Sequence, residues 1–259
     1  MIDFLVHSIP HYSDMRLIFF IFLLFISIAL RSQVIRGDTT QHRIALVLTG
    51  DEFGDGASFI RKALKKNEVK ASFFLTGNFY RIDTLHETIQ QLINDGHYLG
   101  SHSDKHLLYC DWKNRDSLLV TKPQFDADLS QSYKELASFG ITKFKAHYFL
   151  PPYEWYNDSI VQWTKENGLQ LVCFTPGTRS TADYTYPEMG TRYVSSNVIY
   201  NSIIDYEKSA PSGLNGFILL VHIGTDPRRT DKFYFLLPKL ITQLKLLNYE
   251  FARIDELLQ

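Results

Sequence analysis

RIALVLTGDEFGDG, residues 43–56, sets an unbroken apolar run against a cluster of acids. Ile44 to Leu48 show no polar alternation, the pattern of a strand buried on both faces, as in a parallel sheet. Asp51, Glu52 and Asp55 follow at its carboxyl end. These acids can be a polar turn, a calcium loop or the carboxylate half of an active site. The calcium loop fails on ligand spacing. A loop of that kind beginning at Asp51 needs oxygen ligands where the chain has Phe53 and Lys62.

The same alternation of apolar runs and amphipathic segments continues outward. KASFFLT (70–76), HYLGSH (97–102), KAHYFL (145–150), LQLVCF (169–174), GFILLVH (216–222) and YEFARI (249–254) read as strands. Between them, 57–67, 84–95, 121–140, 158–168, 195–208 and 231–248 read as helices. Thr121 is a candidate N-cap with Pro123 in the first turn, and Gly96 and Gly140 stop their helices. About seven β/α units in series predict a parallel sheet covered on both faces, either a barrel or a doubly wound sheet. In both architectures function sits at the carboxyl ends of the strands.

The 259 residues suffice for one large domain. A formal charge of −1 with 21% charged residues leaves no electrostatic footprint for nucleic acid. Residues 17–30, LIFFIFLLFISIAL, make the one apolar run foreign to a soluble fold. As a helix it spans about 21 Å, short of a ~30 Å bilayer core. Arg16 precedes it and Ser32 follows, the layout of a secretory signal. Residues 1–32 are therefore expected to be an N-terminal extension and signal, with Met15 a candidate true start, and residues 33–259 a single catalytic domain. Export follows, with no membrane span left after cleavage; an uncleaved anchor is the alternative. Cys110 and Cys173 are the only thiols, and neither is assigned a role.

Five strand ends carry chemistry. The first delivers Asp51 and Glu52, the third His102 and His106, the fourth Pro151-Pro152-Tyr153. The fifth leads to Asp183, and FILLV ends in His222. Two imidazoles and a carboxylate are the ligands of a catalytic divalent metal with positions left open. A further carboxylate can take a proton from water, and a histidine opposite can give one to a leaving group. Asp51, His222 and Asp183 suit those tasks. Each has a plainer reading: His222 as a hydrogen-bonded core histidine, Asp183 as a turn cap, the Pro-Pro-Tyr as a rigid corner.

Taken together, the motifs resemble those of the polysaccharide deacetylases (carbohydrate esterase family four, the NodB-homology domain). The family's T-F-D-D stands here as Thr49-Gly50-Asp51-Glu52, and H-[ST]-x-x-H as His102-Ser103-Asp104-Lys105-His106. R-P-P-Y stands as Leu150-Pro151-Pro152-Tyr153, D-W as Asp183-Tyr184, and L-x-H as Leu220-Val221-His222. The resemblance implies a distorted (β/α) barrel of about seven parallel strands with outer helices. It implies a divalent metal, zinc first with cobalt or nickel as alternatives, and hydrolysis of acetyl groups on amino sugars by water bound to that metal.

On this resemblance Asp51 is the base, and Glu52, His102 and His106 hold the metal. Pro152 and Tyr153 mark the oxyanion position, served by the Tyr153 N–H. His222 protonates the departing amine, supported by Asp183, while Tyr184 and Leu220 line the acetyl pocket. Asp55 is left as a turn residue and cap before the next helix. Three departures from the family pattern stand out: Glu52 for Asp, Leu150 for Arg and Tyr184 for Trp. The expected partner is an acetylated oligo- or polysaccharide, and Trp155 and Tyr156 are candidate stacking residues. The alternatives are a non-catalytic glycan-binding protein on a degenerate deacetylase scaffold, and an amidase acting on a non-sugar substrate.

Overall fold

A computed structural model of the chain describes residues 33–259. The expected extension, signal segment and Met15 start lie outside the described residues. Seven parallel strands form one sheet: β1 (Arg43–Gly50), β2 (Ser72–Leu75), β3 (Tyr98–Ser101), β4 (Tyr148–Phe149), β5 (Gln170–Leu171), β6 (Phe217–His222) and β7 (Glu250–Phe251). The order is β5-β4-β3-β2-β1-β6. β1 is central: it pairs with β6 along Ile44–Thr49, with β2 along Val47–Gly50, and with β7 at Arg43 and Ile44.

Strand parity builds two cores. Ile44, Leu46 and Leu48 of β1, with Phe73, Leu75, Leu219 and Val221, face outward. They pack on α1 (Ala57–Lys66), α3 (His86–Asn94), α6 (Ser196–Ser209) and α7 (Leu237–Leu246) through Ile60, Leu64, Leu92, Ile203 and Leu240. Ala45, Val47, Phe74, Tyr148, Ile218 and Leu220 face inward and fill the barrel. Ile254 and Leu257, on the short closing helix Ile254–Leu257, plug its base. A sheet with apolar side chains on both faces must be covered on both, which a filled barrel ringed by helices achieves.

The distorted barrel is thus the observed architecture, and its distortion lies at one seam. β5 and β6 do not pair with each other; the extended segment before β1 lies between them. Val34 donates to Leu171 O at 3.1 Å and accepts from Cys173 N at 2.9 Å, while Arg36 bridges antiparallel to Phe217. The Arg36 guanidinium donates to Asn215 O at 2.9 Å and Gly213 O at 2.8 Å. Gly216 allows the close approach: its φ is 66°, and a β-carbon there would lie 2.6 Å from Gly37 O. Among the described residues, no helix is long and apolar enough to cross a membrane.

Several sequence expectations differ from the structure in extent. KAHYFL, LQLVCF and YEFARI contribute only two strand residues each, β4, β5 and β7. The closing helix opens as a 3-10 turn, Phe233–Leu236, and becomes α-helical only at Leu237. Pro238 explains the late start, because it lacks an N–H and suits only the first turn of a helix. The helix expected over 121–140 forms as α4 (Lys122–Ser138), with Thr121 at the N-cap in a capping box with Gln124.

Candidate active site

Inward parity carries side chains to the upper rim. Counting every second residue along β1 from Ala45 reaches Asp51; along β2 it reaches Thr76, along β3 His102 and along β6 His222. A cleft of about 860 Å³ opens there, lined among others by Asp51, Glu52, His102, His106, Tyr153 and His222.

Asp51 is anchored by neutral donors. Its Oδ1 accepts from Thr76 Oγ1 at 2.8 Å and Asn78 Nδ2 at 3.2 Å. Thr76 is also the N-cap of α2 (Gly77–Tyr80), accepting from Phe79 N at 3.1 Å, so its hydroxyl proton is free for Asp51. Asp51 Oδ2 lies 3.7 Å from His106 Nδ1.

The His102–His106 loop is tightly held. Ser103 and His106 both have left-handed backbones, φ 74° and 54°. Ser103 Oγ accepts from His106 N at 2.9 Å, and the Asp128 carboxylate on α4 accepts from Asp104 N and Lys105 N, each at 3.0 Å. Burial raises the Asp128 pKa against those two N–H bonds. Gly77 lets α2 approach this loop, since a β-carbon there would overlap the Asp104 carboxylate.

His102 is 2% exposed and donates Nδ1–H to Leu150 O at 2.7 Å. A carbonyl only accepts, so the proton is on Nδ1 and Nε2 carries a lone pair. Burial first, then the neighbouring His106 and His222, holds its pKa well below the ordinary value. His106 is lowered as well, by burial against the pull of Asp51. The result is two neutral rings with Nε2 atoms 3.3 Å apart.

That spacing and chemistry fit a divalent metal. Two Zn–N bonds of ~2.05 Å at the tetrahedral angle place their nitrogens ~3.3 Å apart. The third expected donor is less well placed. Glu52 lines the cleft but is exposed, and among the described residues no group of three His, Cys, Asp or Glu side chains converges as a ready-made site. Glu52 follows Asp51 immediately and falls on the opposite parity, so its longer side chain has to reach back to the imidazoles.

Across the cleft, Asp183 and His222 form a two-point pair. His222 Nδ1 donates to Asp183 Oδ1 at 2.6 Å, and the His222 backbone N–H donates to Oδ2 at 2.8 Å. Asp183 is 1% exposed. Burial pulls the His222 pKa down, but the Asp183 charge and hydrogen bond, with the charge of Glu154, outweigh it, and the net shift is upward. Nε2 is left for the cleft. The half-exposed Tyr184 sets its ring edge-on to His222, centroids 5.6 Å apart.

Tyr153, φ 59°, places its ring 4.3 Å from that of His106. Its backbone N–H makes no hydrogen bond among the described residues. Trp112 stacks near Trp155, centroids 5.6 Å apart and tilted by 34°, widening the aromatic wall. Three expected residues lie elsewhere. Leu220 is fully buried among the inward-facing side chains and does not line the cleft, because it lies two residues, ~7 Å, below His222 on the same face. Pro152 is buried behind Tyr153 as part of the turn. Asp55 caps no helix: it accepts from Thr225 N at 2.9 Å and Tyr234 Oη at 3.0 Å, and pairs with Lys232 at 3.0 Å, clamping the loop after β6. Cys110 and Cys173 are buried and form no disulfide.

Thr76, Asn78 and Asp128 were not singled out from the sequence. Asp128 carried a signal there. It falls with Phe125, Leu129, Ser132 and Leu136 on the buried face of α4, where an unpaired acid is costly.

The polysaccharide deacetylase family model matches residues 39–172. The uncharacterised protein YlxY of Bacillus subtilis strain 168 is 26% identical over 205 residues, 75% of this chain and 50% of that protein. An uncharacterised 30.6 kDa protein of Geobacillus stearothermophilus is 25% identical over 226 residues, 85% of this chain and 72% of that protein. The chain thus spans about half the length of the first relative. Among solved structures, the Bc1960 peptidoglycan N-acetylglucosamine deacetylase superposes with a TM-score of 0.70 at 19% identity, covering 88% of this chain and 93% of that one. PdaA of Bacillus subtilis, a family 4 carbohydrate esterase, gives 0.67 at 23% identity, with 87% and 84% covered. BA3943 of Bacillus anthracis, described as a pseudoenzyme of the same family, gives 0.66 at 18%, with 88% and 69% covered.

Proposed function

We propose that this chain, which belongs to the polysaccharide deacetylase family, is a metal-dependent hydrolase that removes acetyl groups from an acetylated glycan, with an N-acetylated amino sugar favoured. The observation that carries the reading is the opposition, across one cleft, of Asp51 with the His102–His106 pair and of the Asp183–His222 pair. His102 and His106, joined by Glu52, would hold a divalent ion, zinc first; bound there, it supplies a Lewis acid that polarises the acyl carbonyl and acidifies water.

The chain's own residues supply the proton traffic. Asp51, fixed through Oδ1 by Thr76 and Asn78, offers Oδ2 to accept the proton of the attacking water. The free Tyr153 N–H supports the oxyanion. His222, its Nδ1–H locked on Asp183, gives its Nε2 proton to the departing amine, leaving acetate and a free amino sugar. Export by way of residues 17–30 belongs to the same reading.

A second reading, a glycan-binding protein without turnover, is favoured by the exposed Glu52 and by Leu150 at the family's Arg position, buried in the barrel. Acetate release from N-acetylglucosamine oligomers in the presence of Zn²⁺ or Co²⁺ separates the two. The deacetylase reading predicts release that Asp51→Asn lowers by about 10²–10⁴-fold. The binding reading predicts oligomer binding that survives Asp51→Asn, with no release by the wild type. A parallel panel of small non-sugar amides tests the amidase alternative.

A further inference from the structure

A second cavity, of about 1110 Å³, lies at the amino-terminal ends of β3, β4 and β5, the opposite end of the barrel from the catalytic cleft. Ile93, Leu99, Ile141 and Phe144 give it an apolar wall. Phe144 is 91% exposed, the most exposed large apolar side chain among the described residues, and it stands between Lys143 and Lys145. Both lysines line the cavity, both are exposed, and neither makes an ion pair among the described residues. Arg253 and Asp255 also line it but engage each other, through bonds of 3.0 and 2.8 Å. The surplus charge of the wall is therefore positive, with the half-buried His147 beside it.

Two buried donors of the same wall lack acceptors. His97 is 7% exposed, and its Nδ1 accepts from Ala71 N at 3.1 Å. A ring nitrogen that accepts carries a lone pair, so the proton of the neutral ring is on Nε2. Burial, helped by the charge of Lys70, pushes His97 down to about 4 and keeps it neutral. That Nε2–H is buried and has no partner among the described residues, a state native proteins rarely tolerate without a reason. Tyr98 is 5% exposed; its Oη accepts from Tyr148 N at 3.0 Å, and its own proton has no acceptor among the described residues. Donors without acceptors, unpaired ammoniums and an apolar wall share one chemical complement. We propose that this cavity binds an anionic amphiphile, a carboxylate or phosphate head on an apolar tail. The tail lies along Ile93, Ile141 and Phe144, and the head meets the donors of His97 and Tyr98 under the charges of Lys143 and Lys145. A free amphiphile and a lipid headgroup at a bilayer surface both present this chemistry.

Binding here is read without acetate release, so it stands or falls apart from the deacetylase reading. The test titrates the ¹⁵N-histidine-labelled protein with decanoate, with decanol and with inorganic phosphate, and measures its retention on vesicles of phosphatidylglycerol and of phosphatidylcholine. Decanoate is expected to move the His97 and His147 ring signals at concentrations where decanol and phosphate do not. K143E/K145E is expected to weaken decanoate by at least about tenfold, with melting temperature and acetate release unchanged, because both side chains are exposed and far from the cleft. Retention on phosphatidylglycerol but not phosphatidylcholine vesicles, lost in K143E/K145E, identifies the bilayer as the source; residues 17–30 are common to both proteins and cancel in that comparison. Decanoate binding without such retention identifies a free amphiphile. Both outcomes carry the proposal. It is overturned if the wild type binds neither decanoate nor phosphatidylglycerol vesicles, if K143E/K145E binds as the wild type does, if decanol or phosphate matches decanoate, or if decanoate binds and leaves the His97 signals unmoved.

Discussion

At the scale of single residues, the site divides its carboxylates by their partners. Asp51 is held by two neutral donors, so replacing it with Asn preserves the hydrogen bond from Thr76 and removes only the base. Asp51→Asn is expected to lower acetate release by about 10²–10⁴-fold with an unchanged melting temperature. Asp183 acts through His222. Because the His222 pKa is raised in the folded chain, its contribution to stability is full below the ordinary histidine value and is lost as pH rises through the folded one. Asp183→Asn removes the main raising charge. The alkaline limb of acetate release is then expected to move to lower pH, and the extra stability at acid pH to disappear; pH-rate profiles and urea titrations at several pH values check both.

The residues at strand ends were legible in the sequence for a physical reason. Asp51, His102 and His222 each continue the inward parity of an apolar strand whose direction is fixed by its neighbours. Leu220 shared that parity but sits one layer too deep, and Glu52 falls on the opposite one. Thr76 and Asn78 gave no pattern along the chain. Their roles come from a helix cap that meets the site only in space.

At the scale of elements, the loop carrying His102 and His106 is the part under most constraint. Two left-handed residues and two backbone N–H groups depend on the Asp128 carboxylate reaching in from α4. Asp128→Ala leaves both N–H groups without their acceptor, an effect of about 1–3 kcal/mol for the buried Asp104 N–H and less for that of the exposed Lys105. By tilting the imidazoles it is expected to weaken Zn²⁺ binding by about 10–100-fold. Competition with a chelating dye reads the affinity, and a melting curve reads the stability. The strands adjoining this loop explain why the sequence over-reads their length. Leu150 turns its carbonyl to His102 rather than to a ladder, and Cys173 donates to Val34, so β4 and β5 end early.

At the scale of the whole molecule, apolar strands alternating with amphipathic helices over residues 43–254 made the α/β class readable. The closure was not readable, because the segment over residues 34–37 has no strand pattern and acts by filling the seam between β5 and β6. Arg36 ties that seam through three acceptors, Asn215 O, Gly213 O and Tyr206 Oη. Arg36→Ala is expected to lower stability by about 1.5–3 kcal/mol, measured by urea unfolding, while leaving the strand ends and their chemistry in place.

The central claim is that the two sides of one cleft carry out metal-assisted deacetylation. Its most direct test is acetate release from an N-acetylglucosamine oligomer by the Zn²⁺-loaded chain, with zinc content measured on the same sample and on His102→Ala. The account predicts acetate from the wild type, and loss of both bound zinc and acetate in His102→Ala. Folded wild-type protein that yields no acetate from any acetylated glycan, with zinc content unchanged by His102→Ala, would contradict it.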